Sequence, residues 1–515
     1  MKIGVLPQHR KLVVPYHESI QTLIPGAARL GNTERILVPH EEDSVRVLRN
    51  LGIACPAPIQ HYYDWAGGKP FEVQKVTADL LTTNQRAYVF NDIGTGKTRS
   101  SLYAADYLMK KGLAKRVAVF APLSTLTMTW DREIFEQFPH LTSVVVYGDR
   151  ARRVKLLAEP ADIYILNHDA VWVLQDELKK RRDIDVLIVD ELAVFRNPRS
   201  RLHKKLLALI DGRTWVWGMT GAPTPTAPTD AYGQARLITP WRAPRSFKGF
   251  RDETMRQVST FRWVPRKDAE AVVAAMLQPA VRFTRDQCLD LPPVTYSDRA
   301  IEMPARAQKA YDRMMKELVA EADGVQIKAV NEGVRIGKLL QIASGFAYDD
   351  TGQARYVGGF ERVKAIEDVL GEAEGKVIVF APFTFLARFL CLALQKRGHS
   401  TEVIYGDVPK SERDRIFTEF QYGALRCIVA HPQTMAHGLN LTAASVVLWA
   451  SPTMSLEIYE QANGRITRAG QTRSQHVIHL VGAPMEREVY RRLKGKAKVQ
   501  GALLELLQQQ TGEVK

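Results

Sequence analysis

Cysteine is scarce: Cys55, Cys288, Cys391 and Cys427 are the four in 515 residues. No two stand in CxxC or CxxH spacing, which excludes the usual zinc patterns. So few thiols in so long a chain suit a reducing cytosol rather than a disulfide framework. The first ten residues lack the apolar core of a secretory leader, and no apolar run reaches the ~20 residues that span a bilayer. Solenoid-period repeats and low-complexity tracts are also missing. A cytoplasmic protein with no membrane partner is expected. Acidic residues are the other shortage. Asp and Glu number 56 against 71 Lys and Arg, giving a formal charge of +15 and a pI near 9.5. That excess attracts polyanions, nucleic acid first among them. What remains is ordinary: 45% apolar residues, and length for two or three domains.

Residues 1–60 read as a small α+β module. Its strands are Leu12–Val14 and Arg35–Val38, and its helices lie near His17–Ile24 and Glu41–Leu51. Residues 61–240 then alternate apolar strands with helical stretches, from Ala87–Phe90 to Trp215–Met219. Strands this apolar are expected where both faces of a parallel sheet are covered. The pattern turns helical and basic over 241–290. Trp241, Phe247, Phe250, Phe261 and Trp263 interleave with its cations; they read first as core and second as duplex contacts. A second strand–helix alternation fills 291–515, from Lys376–Phe380 to His476–Leu480, with a helical insertion at about 305–350. The fold class is therefore α/β: two tandem lobes with parallel sheets, helical insertions at their junction, and a small N-terminal module.

The densest local signal is Asn91-Asp-Ile-Gly-Thr-Gly-Lys-Thr98, set between a strand and a helical run as a phosphate-binding loop requires. Gly94 and Gly96 let the backbone close on phosphate oxygens, and Thr95 lies between them. Amides at a helix N-terminus favour the negative charge. Lys97 is placed to reach the β- and γ-phosphates of ATP, and the Thr98 hydroxyl to hold Mg²⁺. The generic pattern's first glycine is replaced by Asn91. Ninety residues on, Asp185-Val-Leu-Ile-Val-Asp190-Glu191 ends an apolar strand in two acids, at the sheet edge where ligands bind. Asp190 is the candidate metal ligand and Glu191 the residue that polarises water. Gln74, upstream of the loop, has an amide suited to an adenine edge. Thr220-Gly-Ala-Pro223 forms a further turn at a strand end.

The second half carries Gln461-Ala-Asn-Gly464-Arg465-Ile-Thr-Arg468-Ala-Gly-Gln471. Arginines three apart share one helix face, and two guanidiniums held together need an anion, such as a γ-phosphate. Upstream, Gln433-Thr434 and Gly438 lie in a strand–turn–glycine stretch suited to nucleotide and nucleic-acid backbone contacts.

Taken in order, these motifs resemble those of the Swi/Snf-type ATPases, a branch of superfamily-two helicases, over residues 60 to 490. Asn91–Thr98 matches DExGLGKT, and Asp190-Glu-Leu-Ala193 matches DEAH with Ala193 in place of His. Thr220–Pro223 matches the TGTP-like motif, and Gln461–Gln471 matches QAxGRxxRxGQ. Phe283-Thr-Arg285, Leu291-Pro-Pro293 and Lys338–Ser344 are similar to the family's passage between lobes. The resemblance implies two RecA-like lobes and a motor on duplex DNA. It assigns Lys97, Asp190, Glu191, Arg465 and Arg468 to catalysis, and Gln74, Gly94–Thr98, Gly438 and Gln461 to the nucleotide. Pro122, Ser124, Trp130, Asn167, Phe383, Thr384, Gln433 and Thr434 are assigned to nucleic acid. The N-terminal stretch Tyr16–Arg29, followed by Ile36–Pro39 and a helix, is similar to the HARP-type domain that precedes the motor in annealing helicases. Leu30 stands there in place of the usual Trp. These likenesses imply duplex or forked DNA as partner, replication or repair proteins as further partners, and a bacterial or phage setting. A strand-separating helicase, a motor subunit of a defence complex, and a scaffold with a degenerate ATPase are the rival readings.

Overall fold

The computed structural model describes residues 3–259, 262–288, 294–322, 329–348, 353–356, 358–435, 441–467, 471 and 473–493. The chain forms two compact units that divide after Cys288.

The first unit begins with an antiparallel sheet of β1 (Gly4–Leu6), β2 (Lys11–Pro15), β4 (Arg35–Pro39) and β3 (Ala28–Arg29), in that order. Alternate residues of β2 and β4 point inward: Leu12, Val14, Ile36 and Val38 are buried with Ile20, Val45 and Leu48 from helices Glu18–Leu23 and Glu42–Asn50. This period of two is what a sheet covered on one face demands. The module docks on helix Glu72–Thr83 through polar contacts. Arg49 pairs with Asp79 at 2.7 Å and donates to Thr83 Oγ1 at 3.1 Å and to the Cys55 carbonyl. Tyr107 donates to Glu42.

Behind it stands a seven-stranded parallel sheet. It comprises β5 (Arg86–Val89), β6 (Arg116–Ala121), β7 (Ser143–Val146), β8 (Ile163–Asn167), β9 (Ile184–Asp190), β10 (Trp215–Met219) and β13 (Ala280–Val281). Their order is β13-β5-β10-β9-β6-β8-β7. Apolar layers cover both faces, as the continuous apolar strands require. Residues 241–290 are not wholly helical. Helix Phe247–Thr254 leads into an antiparallel hairpin, β11 (Met255–Ser259) and β12 (Arg262–Pro265), then helix Ala269–Met276. β13 follows and completes the large sheet. Its two residues are too few to show a period, and its pairing with β5 is long-range, so local patterning does not announce it.

The second unit has a parallel sheet of six strands. These are β14 (Val294–Ala300), β17 (Lys376–Phe380), β18 (Thr401–Ile404), β19 (Cys427–Ala430), β20 (Ala444–Trp449) and β21 (Gln475–Val481), in the order β14-β21-β20-β17-β19-β18. A two-stranded hairpin, β15 (Phe346–Tyr348) and β16 (Ala354–Tyr356), lies between helix Ala329–Ala343 and helix Phe360–Glu372. β14 is polar and largely exposed, an edge strand that apolar patterning misses. Arg362 and Glu486 form a fully buried pair at 2.7 Å. Arg362 also donates to the carbonyls of Ala343 and Ala450, and Glu486 accepts from the amides of Gly482 and Ala483. With every charge satisfied, the pair ties four segments at one point. Among the described residues no helix is long and apolar enough to cross a membrane.

Candidate ATP-hydrolysis site

The phosphate loop leaves β5 and enters helix Lys97–Lys110 through two left-handed glycines, Gly94 at φ +89° and Gly96 at φ +82°. Gly96 has a second reason to be glycine: a Cβ there would meet Gln74 Nε2 at 2.2 Å. Gln74 is therefore no surface residue. It is buried against the loop, and its Oε1 accepts from the Phe71 amide at 2.9 Å, which fixes the start of its helix. Thr95 is buried and donates to the Asp92 carbonyl, and Thr98 sits in the first turn of the helix.

Lys97 folds back on its own loop, donating to the carbonyls of Asn91 at 2.8 Å and Asp92 at 3.2 Å. Burial depresses its pKa; the nearby carboxylates of Glu191, Asp190 and Asp92 oppose that shift. Asp190, the last residue of β9, is pushed the other way by burial and held down by Lys97. The two charges lie close enough to govern one another. Glu191 leaves the strand at φ +51°, ψ +52°, a left-handed conformation that costs a non-glycine residue roughly 1–3 kcal/mol. Such strain is retained at working residues. Ala193 is buried in the 3₁₀ turn that follows, Leu192–Phe195.

Two residues that sequence reasoning did not place here hold Asp190. Trp130 Nε1 donates to its Oδ2 at 3.1 Å, and His168 Nε2 contacts its carbonyl at 2.8 Å. Trp130 is fully buried in a π-helical turn, Leu126–Asp131, with its indole N–H on the Asp190 carboxylate. Asn167, at the end of β8, is also buried and accepts from Arg153 at 3.0 Å. Pro122 is buried at the end of β6, and Ser124 half-buried in the next turn.

Asn91 and Asp92 fasten the loop to the chain that leaves the sheet. Asn91 Nδ2 donates to Thr77 Oγ1 and its Oδ1 accepts from the Phe283 amide, both at 3.0 Å. A glycine at position 91 could make neither bond, which accounts for the departure from the generic motif. The Asp92 carboxylate pairs with Arg282 at 2.5 Å and accepts from the Arg285 amide at 3.0 Å.

In the second unit, helix Leu456–Asn463 ends before the arginines. Asn463 Oδ1 accepts from Trp449 Nε1 at 2.8 Å, and Gly464 closes the last turn. Arg465 thus lies in the turn beyond the helix, buried. Arg468 and Gly438 lie outside the described residues. Gln461 is buried on the helix, its Nε2 reaching Glu457 at 3.4 Å. Phe383 and Thr384 are half-buried at the start of helix Thr384–Lys396. Gln433 is exposed and Thr434 half-buried just past the end of β19, where Thr434 donates to the His431 carbonyl.

A family model described as the SNF2-related domain matches residues 74–344, more than half of the chain. The chain belongs to the SNF2-related family. A second model, the helicase conserved C-terminal domain, matches residues 361–470. Together these make the SNF2-related chain a helicase-like ATP hydrolase, and its fold is that of two RecA-like lobes. The p41 protein of Acyrthosiphon pisum secondary endosymbiont phage 1 is 26% identical over 85% of this chain and 98% of its own length. The SWI/SNF-related matrix-associated actin-dependent regulator of chromatin subfamily A-like protein 1 of Xenopus laevis is 23% identical over 78% of this chain, which spans 40% of that relative. Among solved structures, the Sulfolobus solfataricus SWI2/SNF2 ATPase core in complex with dsDNA is 20% identical, with 87% of this chain and 97% of that one covered and a TM-score of 0.41.

The phosphate loop and paired acids of this SNF2-related chain were legible because each is one contiguous motif. Trp130 and His168 reach Asp190 from 60 and 22 residues away, and Arg282 reaches Asp92 across 190. Only the fold brings those together.

Proposed function

We propose that this chain is an ATP-driven motor that moves along double-stranded DNA and remodels what it meets there, forked junctions included. The observation that carries the reading is the buried Lys97 set among Asp190 and Glu191 at the C-terminal edge of one sheet. Membership of the SNF2-related family and the net charge of +15 support DNA as the track. The fork preference rests on the likeness of residues 1–60 to the HARP-type domain.

ATP supplies its phosphates to the loop, and Lys97 exchanges the carbonyls of Asn91 and Asp92 for phosphate oxygens. Gln74, lying over Gly96, borders the nucleotide. Mg²⁺ fits this donor set. Among the described residues no group of three or more His, Cys, Asp or Glu is arranged to hold a metal. One carboxylate, Asp190, and one hydroxyl, Thr98, are what a nucleotide-borne Mg²⁺ takes from protein. Bound there, the ion neutralises charge developing on the phosphates. Glu191 orients the attacking water. Arg465 and Arg468 stabilise the transition-state charge, and their approach and withdrawal link hydrolysis to movement of the second lobe.

The test is steady-state ATP hydrolysis at moderate salt without nucleic acid, and with single-stranded, duplex and forked DNA and RNA, using Glu191→Gln as control. Stimulation by duplex DNA that the variant loses, by about 100-fold or more, supports the motor; a further gain with forks supports the junction role. Stimulation by single strands or RNA alone would overturn the duplex reading in favour of a strand-separating helicase. No hydrolysis under any condition would favour a scaffold.

A further inference from the structure

The hairpin β11–β12 stands apart from the cores around it. Its base is anchored: Phe250, Thr254 and Met255 are buried, and the Arg266 amide donates to the Thr254 carbonyl at 2.9 Å. Beyond Met255 the ribbon leaves the protein. Arg256, Gln257, Val258 and Ser259 are all exposed, on both faces of the strand. A two-stranded ribbon solvated on both faces gains little from its own packing, so its place in the fold needs another reason.

Its charge points to one. Residues 241–268 carry eight Lys or Arg against three Asp or Glu, a net +5 out of the chain's +15. Arg256 and Lys267 have no carboxylate partner among the described residues, whereas Arg99, Arg116, Arg150, Arg181 and Arg282 of this unit are each paired to an acid. Among the described residues of the ribbon the large aromatic is Trp263, half-buried under the Arg251 guanidinium, 4.0 Å from the ring centroid. That stacking keeps the ribbon's base stiff and holds a further cation at its side. Gln257 pairs across from Trp263 and Arg256 from Val264, so the two neighbouring residues present a cation on one face and an amide on the other. A two-stranded ribbon of this width is an element that the major groove of duplex DNA admits. Cations free of carboxylates are what lie along phosphates.

We propose that the β11–β12 ribbon is a duplex-DNA contact of the first unit, with Arg256 and Lys267 neutralising backbone phosphates. The proposal rests on the motor reading and adds a site to it. The ribbon lies outside the nucleotide machinery, so it governs grip on DNA and not hydrolysis itself.

The experiment measures binding of the full chain to a labelled DNA duplex by fluorescence anisotropy between 50 and 200 mM salt, alongside ATPase rates with and without the duplex. Arg256→Glu with Lys267→Glu is compared with a control of equal charge change at two exposed lysines of helix Gln175–Lys180, Lys179→Glu with Lys180→Glu. The expected result is an affinity at least about tenfold weaker for the ribbon variant. The slope of log affinity against log salt should be shallower by about 2, since each phosphate contact contributes ~0.9. Basal ATPase should stay at the wild-type rate, and the control should keep the wild-type slope. An unchanged slope in the ribbon variant, or an equal change in the control, would overturn the ribbon's role while the motor reading stands. A wild-type chain that neither binds duplex nor is stimulated by it would overturn both.

Discussion

Arg282 and Asp92, 190 residues apart in the chain, form an ion pair at 2.5 Å that joins the phosphate loop to the segment leaving the first sheet. Arg282 is buried, so removing its partner leaves a charge without compensation. Asp92→Ala should destabilise the first unit by roughly 3 kcal/mol, while Asp92→Ala combined with Arg282→Met should recover part of that loss. Urea denaturation of the two single variants and the double gives the coupling directly. The KM for ATP should rise in Asp92→Ala, because the carbonyl that receives Lys97 belongs to the same residue. Strictly additive losses would remove the pair from the account.

Trp130→Phe keeps the ring that fills the core and removes only the N–H that Asp190 accepts. Folding stability should change by about 1 kcal/mol. On the proposed role of Asp190 toward Mg²⁺, the Mg²⁺ concentration for half-maximal hydrolysis should rise more, by about tenfold, as when the hydrogen-bond partner of a metal ligand is lost. Binding of ADP with and without Mg²⁺, followed by calorimetry, separates the two effects. A variant weakened equally in both conditions would mark Trp130 as packing alone.

The N-terminal module holds the helix that carries Gln74 through Arg46, which donates to the Thr83 carbonyl, through the Ala57 and Gln60 amides on Asp79, and above all through the Arg49 guanidinium. Arg49 bonds to Asp79, Thr83 and the Cys55 carbonyl. Arg49→Ala strips the buried Asp79 carboxylate of its cation, leaving it the Ala57 and Gln60 amides, and amides in residues 72–83 should exchange faster by about tenfold or more. Hydrogen exchange read by mass spectrometry checks it. Faster exchange confined to residues 1–60 would show that the module does not brace that helix.

Among the described residues five histidines, His40, His61, His168, His203 and His431, have pKa values lowered chiefly by burial. Their unfolded pKa is about 6.5. As pH falls below that value the unfolded chain takes up protons that the folded chain refuses. Stability is therefore full above about pH 6.5 and is lost as pH falls toward the folded values. Denaturant midpoints at pH 7.5 and 5.5 should differ in that direction, and less so in His168→Gln. An equal difference in wild type and variant would exclude His168 as a contributor.

Legibility in the sequence followed the range of the interaction. The apolar strands β5, β6, β9, β10, β17, β19 and β20 announce themselves because a parallel strand covered on both faces is apolar throughout. The phosphate loop and the Asp190–Glu191 pair are equally local. β13 and β14 were hidden for opposite reasons: one has two residues, and the other is an exposed edge with a polar pattern. The end of helix Leu456–Asn463 was not legible because Asn463 is claimed by Trp449, 14 residues back and on another element. The basic segment at 241–268 gave its charge away at once. Its aromatics divide as the residues around them dictate: Phe250 is buried, Trp263 half-buried and Trp241 65% exposed, while Phe261 lies outside the described residues.

The way β13 joins its sheet also sets how the first unit bears load. It runs parallel to β5, and the amides of Tyr88, Phe90 and Asp92 donate in turn to the carbonyls of Pro279, Val281 and Phe283, at 3.0, 2.9 and 2.9 Å. A pull on the chain beyond Arg285, directed along the strand, stretches these rungs together in shear instead of opening them one after another. The last of these rungs is the Asp92 amide, so a shearing load on β13 bears on the backbone of the phosphate loop itself. A spring placed elsewhere would absorb it; here the mechanical attachment point and the chemical one are the same few residues.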